Sequence, residues 1–521
     1  MYQFTRTLLT AALAIAASAA ALAQTQTLDG IKSMPRSGIS PIYAGNEVKG
    51  YILYARADKA DRKNDNFLLD FYDQDLKKVS NITLQKPSGR YTLLQNAFNG
   101  TAFGLYFLNT KDNTLEMETY DASLKKLGSK VIEDLSKGDK MVLSQMVRND
   151  GNVENTMGAL TLTPIAGKGF VRNSYDGLMR GYALQMYDNN LNPKWRLASD
   201  PKSKDYETIL IREVTDKYIV GNIMRRDGLM SRQVSSYMVA IDVNTGKKVM
   251  ELPVETSKTE QLSLSTFTFD AAAREFVAVG EYYKLTDKPF INKSQGFYIK
   301  RFTEAGKLIG TKPYSWQKEV KAALPAEAKP SMEDGFMNFT HSIVKGADGK
   351  MYIVAEQYKV AADGMGIAAL ALGGRASAVN GQVGNMMLFV LNPDYSLNTV
   401  KFYAKDRSKA LLPPGAMGAG LIGMLMKAQG DFDYQFLQRN EANSQFNVVY
   451  INYDKEKGEA TKKVIGNIAF GDNGQFGVDK IDGNSTATSS YVYPAKPGYV
   501  MMVDFLKKQS QLGMKLVKLN I

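Results

Sequence analysis

Hydrophobic and polar residues alternate along much of the chain, in short runs that end at acidic turns. In residues 66–79, Phe67, Leu69 and Phe71 lead into the acidic turn at Asp73, and a second apolar run follows. A two-residue period bounded by turn residues predicts two β-strands joined as a hairpin. The pattern returns in residues 115–132 and 184–197, so the hairpin belongs to a repeated unit.

Each repeated unit contains about four short strands, and the acidic turn joins the last two. Five such turns are anchored by Asp73, Asp121, Asp188, Asp242 and Glu304, which lie 48 to 67 residues apart. This period suits four-stranded blades with variable loops, so we predict an all-β fold, a β-propeller of seven or eight blades with eight favoured. β-sandwich domains are the alternative architecture.

The chain is expected to close its ring with strands from both ends. The last unit lacks a strand if residues 434–519 form two blades, and a short segment at residues 30–34 could supply it. Closure of this kind removes exposed sheet edges. We therefore expect a single propeller domain over residues 24–521.

The first residues predict export. A single charge, Arg6, precedes the apolar run 8–21, and Ala21-Leu22-Ala23 has the small residues of a cleavage site. This pattern is typical of a secretory signal peptide over residues 1–23, and a membrane anchor is the alternative. The chain contains no cysteine, which excludes disulfides and a cysteine-linked lipid anchor. We expect a periplasmic or secreted protein with no lipid anchor and no transmembrane span.

One short phrase carries a resemblance to known proteins. Residues 348–354, Asp-Gly-Lys-Met-Tyr-Ile-Val, resemble the turn and strand of soluble bacterial propellers. As a whole, the chain resembles uncharacterised secreted bacterial propeller-like repeat proteins. The resemblance implies the fold and brings no functional motif with it.

The chain does not contain the residues that several catalytic mechanisms require. The chain has one histidine, His341, in a strand-like context that indicates a structural role, so histidine metal clusters and Ser-His or Cys-His nucleophiles are excluded. Acidic loops near Asp472 and Asp479 lack the ligand spacing of a calcium loop, and turn chemistry explains them equally well. We therefore predict no metal and no cofactor, and the catalytic residues of any enzyme stay unknown.

The loops between the second and third strands of the units are cationic. An Asp-Gly-Leu-Met phrase occurs in two of them, at residues 176–179 and 227–230, and Arg180 or Arg232 follows it closely. Because these loops share one face of a propeller, a positive binding face is one interpretation, and ordinary solvated loops are the other. The candidate ligand-binding residues are Arg172, Arg180, Arg225, Arg226, Arg232 and Lys284.

Two apolar insertions rich in Gly, Ala and Met are expected on the same face, at about residues 361–384 and 408–428. They suit a flap, a partner-docking patch or a peripheral membrane contact, and the alternative is a helical pair packed on its own blade. The candidate contact residues are Met365, Leu370, Leu421, Ile422 and Met424.

The formal net charge of +12 favours an anionic partner, although general solubility explains it as well. We predict a secreted or periplasmic binding or scaffold protein whose ligand is an anionic envelope glycan or a protein partner, with no nucleic acid. One alternative is a carboxylate-dependent glycoside hydrolase or lyase with its site in the central channel. The other is a structural component of the envelope.

Overall fold

The computed structural model describes residues 24–519 except 35–37, 149–159, 178–179, 229–233, 255–258, 290, 373–376, 378, 413–418, 441, 455–461, 472–473 and 484. Within these residues, the strands form eight antiparallel sheets, seven of four strands and one of five. Successive sheets follow one another along the chain and pack face to face as blades. The fold is an eight-bladed β-propeller, as the repeat predicted, and the sandwich alternative does not hold.

The strands are 4 to 13 residues long, and the second strand of a blade is the most continuously buried, as in β7 and β23. The strands of blades 1 to 4 are β2 (Ile39–Ala44), β3 (Glu47–Lys59), β4 (Asn64–Asp73), β5 (Lys78–Pro87); β6 (Tyr91–Phe98), β7 (Ala102–Asn109), β8 (Thr114–Asp121), β9 (Lys126–Ile132); β10 (Leu162–Ile165), β11 (Gly169–Asp176), β12 (Gly181–Tyr187), β13 (Pro193–Ala198); β14 (Tyr206–Val214), β15 (Tyr218–Arg226), β16 (Ser235–Asp242) and β17 (Lys248–Pro253). The strands of blades 5 to 8 are β18 (Glu260–Asp270), β19 (Glu275–Lys284), β20 (Gly296–Thr303), β21 (Leu308–Ser315); β22 (Met337–Lys345), β23 (Met351–Ala362), β24 (Val379–Leu391), β25 (Leu397–Tyr403), β26 (Ser408–Leu411); β27 (Tyr434–Arg439), β28 (Phe446–Asp454), β29 (Lys462–Phe470), β30 (Phe476–Asp482); and β31 (Ser489–Pro494), β32 (Tyr499–Leu506), β33 (Gln511–Lys518) with β1 (Thr25–Asp29).

Blade 8 is completed by the N-terminal strand. β1 pairs antiparallel with β33, from Thr25 opposite Lys515 to Asp29 opposite Gln511. The prediction that an N-terminal segment completes the last blade is confirmed, but its position was wrong. The strand ends at Asp29, immediately before the predicted segment, because Gly30 adopts a φ of 78° and turns the chain towards blade 1.

The hydrophobic core lies between blades. One cluster joins blades 8 and 1 and includes Tyr51, Tyr72, Leu76, Met501 and Leu512, each buried. Similar clusters fill the other interfaces, so each sheet is buried on both faces along its two middle strands. This explains why the middle strands have apolar runs rather than strict alternation.

The acidic turns of blades 1, 2 and 3 share one geometry. In blade 2, Oδ1 of Asp121 accepts hydrogen bonds from the backbone N–H groups of Ser123 and Lys125, and Leu124 adopts a φ of 63°. A left-handed leucine is strained, and burial of its side chain against the neighbouring blade offsets the strain. Asp73 and Asp188 build the same turn, so these aspartates are structural.

Strand direction divides the propeller into two faces. The first strand of each blade runs away from the blade-to-blade connection and the second returns, so the loop after the second strand lies beside the connections. We call this side the connection face. The described helices all lie in these loops and connections: Lys137–Arg148, Trp316–Val320, Lys321–Ala323, Ala326–Ala328, Lys329–Glu333, Gly364–Ala371 and Ala419–Gln429. Among the described residues, no helix combines the length and apolar character needed to cross a membrane.

Candidate ligand-binding face

Two of the candidate cations are held by groups inside the protein. Arg172 on β11 is buried, its Nε donates to the hydroxyl of Tyr106 at 3.0 Å, and its guanidinium lies 3.9 Å from Asp139. Arg225 on β15 pairs with Glu207 at 2.5 Å and with Glu251. Its guanidinium also stacks 4.1 Å from the ring centroid of Tyr237. Both charges are therefore already paired inside the protein, Arg225 within its own blade and Arg172 with the helix that precedes its blade.

Three other candidates remain available at the connection face. Arg180 is exposed and donates one hydrogen bond to the carbonyl of Ser203 at 3.1 Å. Arg226 is half-buried at the end of β15, and Lys284 is exposed at the end of β19. Arg232 lies outside the described residues. A ligand-binding role for Arg180, Arg226 and Lys284 stays a prediction.

The two apolar insertions meet on blade 6. β26 pairs with β24 of the same blade, with Leu411 opposite Asn380, so the connection after β25 lies directly against the end of the first insertion. Helix Ala419–Gln429 packs onto this blade through Ile422 and Met426, which are 1% and 0% exposed beside Tyr358. Ile422 therefore belongs to the core, as the alternative of a helix packed on its own blade required.

The other candidate contact residues have mixed positions. Met365 is 83% exposed, and Met424 is half-buried. The side chains of Leu370 and Leu421 lie outside the described part of the structure. The second helix is packed against its blade, so the strongly exposed apolar side chains of this region belong to the first insertion and to β26.

Exposed aliphatic side chains are concentrated on the connection face of blades 5 and 6. Leu372 and Leu411 are 88% and 82% exposed, and the loop between β19 and β20 adds two more. We call this group the connection-face patch, and it consists of Leu285, Ile291, Met365, Ile367, Leu372 and Leu411. Isolated exposed leucines are ordinary, but several on adjacent loops of one face indicate an interaction surface.

Lysines accompany the patch without acidic partners. Lys284, Lys288 and Lys409 are exposed beside it, and the described residues include no carboxylate paired with any of them. Polar contacts join the loops beneath: Lys293 donates to the carbonyl of Gly335 at 3.1 Å, and Arg407 lies 3.4 Å from Asp334. The two blades therefore present one surface that is aliphatic and positively charged.

A buried cluster of ionic side chains links the segments of blade 6 that carry part of this surface. The ammonium of Lys405 lies 3.1 Å from Glu356 and also donates to Asp433, and all three side chains are buried. The hydroxyl of Ser408 donates to Asp433 at 2.7 Å, and the backbone N–H of Tyr434 donates to Glu356 at 3.1 Å. The cluster ties β23 to both ends of the connection that carries β26 and the second helix.

The two acids of the cluster have pKa values that are shifted in opposite directions. Burial raises the pKa of Asp433 to about 6. Burial also opposes ionisation of Glu356, but Lys405 and His341 outweigh it, so the pKa of Glu356 lies below its ordinary value. Glu356 is thus the permanent counter-ion of Lys405, and Asp433 is the acid that titrates.

His341 is a buried neighbour of this cluster. Its Nε2 lies 3.2 Å from Glu356, and its ring stacks on Tyr434 with centroids 4.4 Å apart. Burial lowers the pKa of His341, so the imidazole is neutral at pH 7. The contacts are those of a core side chain. Sequence reasoning missed the cluster, although the single charge of Glu356 within the apolar run of β23 was a signal for it.

A small cavity near the inner strands lies beside a half-buried acid. A cavity of about 10 Å³ between blades 5 and 6 is lined by Glu281, Asn338 and Trp316, and it has room for a single water molecule. Burial raises the pKa of Glu281, which accepts a hydrogen bond from Tyr283 at 2.6 Å. A sugar ring does not fit this space.

A metal site requires several donor side chains close together. No three His, Asp or Glu side chains in the described parts of the chain cluster as a metal site would require. Of the two acidic loops considered for calcium, Asp472 lies outside the described residues, and Asp479 lies on β30.

Solved propeller structures resemble the chain at low sequence identity. A prolyl endopeptidase matches with a TM-score of 0.37 and 8% identity over 92% of this chain, which spans only 54% of that enzyme. An ulvan lyase of polysaccharide lyase family PL25 matches with a TM-score of 0.36 and 10% identity over 83% of this chain and 93% of its own. The propeller domain of the Trilobed protease from Pyrococcus furiosus matches with a TM-score of 0.32 and 8% identity, over 72% and 96%. These likenesses concern the fold alone.

Sequence comparison places the chain more specifically. No curated protein matches it. The sequence profile of DUF6770, a family of unknown function, matches residues 4–520, which is nearly the whole length. The chain therefore belongs to the DUF6770 family.

Proposed function

We propose that this protein is a binding or scaffold protein of the bacterial cell envelope and that the connection-face patch is its binding surface. The observation that carries the proposal is the exposure of six aliphatic side chains on two adjacent blades, flanked by lysines without carboxylate partners. Water contact makes such a surface costly, and a partner that covers it recovers the free energy.

The chemistry of the patch favours a protein partner with an acidic rim. Leu372, Leu411 and Met365 offer aliphatic area that gains free energy only against other apolar groups. Lys284, Lys288 and Lys409 surround that area and complement carboxylates, which steer association and set orientation. A glycan would use the lysines but leave the aliphatic side chains uncovered.

Export is part of the same proposal. Residues 1–23 have the charge and apolar pattern of a signal peptide, and cleavage after Ala23 would leave β1, which begins at Thr25, complete. Blade 8 needs this strand, so the proposed cleavage site and the fold are compatible.

The test measures binding of the purified protein, residues 24–521, to an envelope fraction of the source organism. In one variant Met365, Leu372 and Leu411 are each changed to Ser, and in another Lys284, Lys288 and Lys409 are each changed to Glu. We expect each variant to bind at least about tenfold more weakly, because either apolar burial or charge complementarity is lost. The matched control changes Val79, Val131 and Val249, exposed on outer strands, to Ser and should bind as the unmodified protein does.

Treatment of the fraction identifies the partner's class. Binding should disappear after protease digestion of the envelope fraction and should be absent with vesicles of anionic phospholipid. Binding that survives digestion, or that vesicles reproduce, would assign the surface to a glycan or a membrane and overturn the protein partner. Unchanged binding by both patch variants would overturn the surface itself.

A further inference from the structure

The innermost strands of several blades contain a one-residue bulge. Among the described strands, pairing with the second strand skips a single residue in blades 2, 4, 5, 6 and 7, and the skipped residues are Leu94, Arg212, Ser265, His341 and Gln435. A bulge releases one residue from the ladder and re-aims its side chain, and bulges are common next to functional sites. Since these strands surround the central channel, a bulged residue that is not packed into the core can face the inside of the ring.

Arg212 differs from the other skipped residues. Leu94 is buried in the core, and His341 is buried beside Glu356. The side chain of Arg212 is exposed to solvent although it extends from the innermost strand of blade 4, near the end of the channel opposite the connection face. Its position at a bulge of an innermost strand places Arg212 at the channel rather than on the outer surface.

Within the described part of the chain, Arg212 pairs with a neutral side chain and with no acid. Its Nε donates to Oδ1 of Asn222 at 3.0 Å, and no described carboxylate pairs with it. The adjacent Glu213 is already engaged, because its carboxylate accepts hydrogen bonds from the hydroxyl of Thr268 at 2.5 Å and from the N–H of Phe269 at 3.1 Å. By contrast, Arg225 and Arg301 each pair with glutamate.

The contact with Asn222 orients the guanidinium. Asn222 is 5% exposed on β15, so its amide is a fixed acceptor, and it uses only the Nε of Arg212. The two terminal nitrogens keep their donors in the planar fork that matches a carboxylate, phosphate or sulfate group. An oxyanion bound there would accept charge-assisted hydrogen bonds from both nitrogens.

We propose that Arg212, held by Asn222, binds the oxyanion group of a small ligand in the central channel. The shared chemistry is a carboxylate, phosphate or sulfate presented to the terminal nitrogens. The site lies on a different blade from the connection-face patch and uses different residues, so it stands independently of the proposed partner surface.

Isothermal titration calorimetry with sodium phosphate, sodium sulfate and sodium glucuronate, in a buffer without other oxyanions, tests the site. We expect one-to-one binding of at least one of the three by the protein of residues 24–521. R212Q should weaken it about tenfold or more, because a charge-assisted bond is lost. R212K keeps the positive charge but lacks the planar pair of donors, so its affinity should lie between those of R212Q and the unmodified protein. R274Q, which removes an exposed arginine paired with Glu304, is the control and should bind normally.

The three anions separate the sources of the oxyanion. Preference for phosphate or sulfate indicates an inorganic or phosphorylated ligand, and preference for glucuronate indicates an acidic sugar. Circular dichroism and melting temperature establish that R212Q is folded. If none of the anions binds, or if R212Q binds as tightly as the unmodified protein, the site is wrong. Neither result would affect binding to the envelope fraction.

Discussion

At the scale of single residues, partners decide what an arginine does. Arg172 and Arg225 looked equivalent to Arg180 in the sequence, yet the first two are neutralised by Asp139, Glu207 and Glu251. Arg212 lies in an apolar strand and was not singled out, but like Arg180 it pairs with no carboxylate of the described residues and donates only to a neutral oxygen. The same guanidinium is structural or available according to which carboxylates the fold brings within reach.

Lys405 is expected to be indispensable for stability. Lys405→Met would leave Glu356 and Asp433 buried together without their cation, which should lower the free energy of unfolding by about 3–5 kcal/mol. Chemical denaturation measures the change. Lys409→Met, an exposed lysine on the same connection, is the control and should stay within about 0.5 kcal/mol. A similar result for both variants would contradict the structural role of the cluster.

Asp433 should make stability depend on pH. Its pKa is raised to about 6 in the folded protein, chiefly by burial, and is about 4 in an unfolded chain. Between these values the folded state binds more protons, so the contribution of Asp433 to stability falls as the pH rises from about 4 to about 6. Relative to Asp433→Asn, the unmodified protein should be more stable at pH 4.5 than at pH 7 by on the order of 1–3 kcal/mol.

Unfolding curves of the two proteins at both pH values give this difference. Glu356 and His341 are present in both, so their own titrations contribute to both curves. A difference that grows with pH would show that Asp433 is stabilised in its ionised form and would contradict the assignment.

At the scale of elements, the acidic turns are small packing units rather than functional loops. Leu124 is 3% exposed at the tip of a hairpin, with a φ of 63°. Gly246 and Gly306 adopt positive φ in the corresponding turns of blades 4 and 5, where no side chain is needed. The turns with leucine have a strained backbone, and in blade 2 the leucine side chain gains a contact with the preceding blade.

Leu124→Ala tests this interpretation. The substitution keeps the strained conformation and removes the buried side chain, so we expect the free energy of unfolding to fall by about 2–5 kcal/mol. Lys125→Ala, the adjacent exposed turn residue, should change it by less than about 0.5 kcal/mol. Chemical denaturation compares the two, and equal small effects would refute a packing role for the turn.

At the scale of the whole molecule, closure of the ring depends on both chain ends. β1 contributes the outer strand of blade 8 through five paired residues, and the N–H of Ile31 continues the contact by donating to the carbonyl of Ser510 at 2.8 Å. Without β1, the edge of β33 would be open to pairing with other chains.

A protein that begins at Gly30 should therefore be less stable than one that begins at Gln24. Loss of the β1 ladder should cost on the order of 2–5 kcal/mol and promote aggregation. Melting temperature and light scattering measure the two effects. Equal melting and scattering for the two proteins would show that β1 is dispensable for closure.

The sequence by itself determined the features that arise between chain neighbours. The two-residue period, the recurring Asp turn and the four-strand spacing predicted the propeller, the eight blades and the common face of the loops, because antiparallel strands pair with the next segment along the chain. The use of an N-terminal strand in the last blade was predictable for a related reason, since an open sheet edge is costly.

Only the tertiary structure decided which charges are free. Lys405 meets Glu356 and Asp433, and Arg172 meets Asp139, across connections whose path no local pattern encodes. Burial likewise separates Ile422, which packs on its blade, from Met365, which faces water, although both lie in similar apolar insertions. Charge pairing and burial depend on distances between segments far apart in the chain, and those distances exist only once the ring has closed.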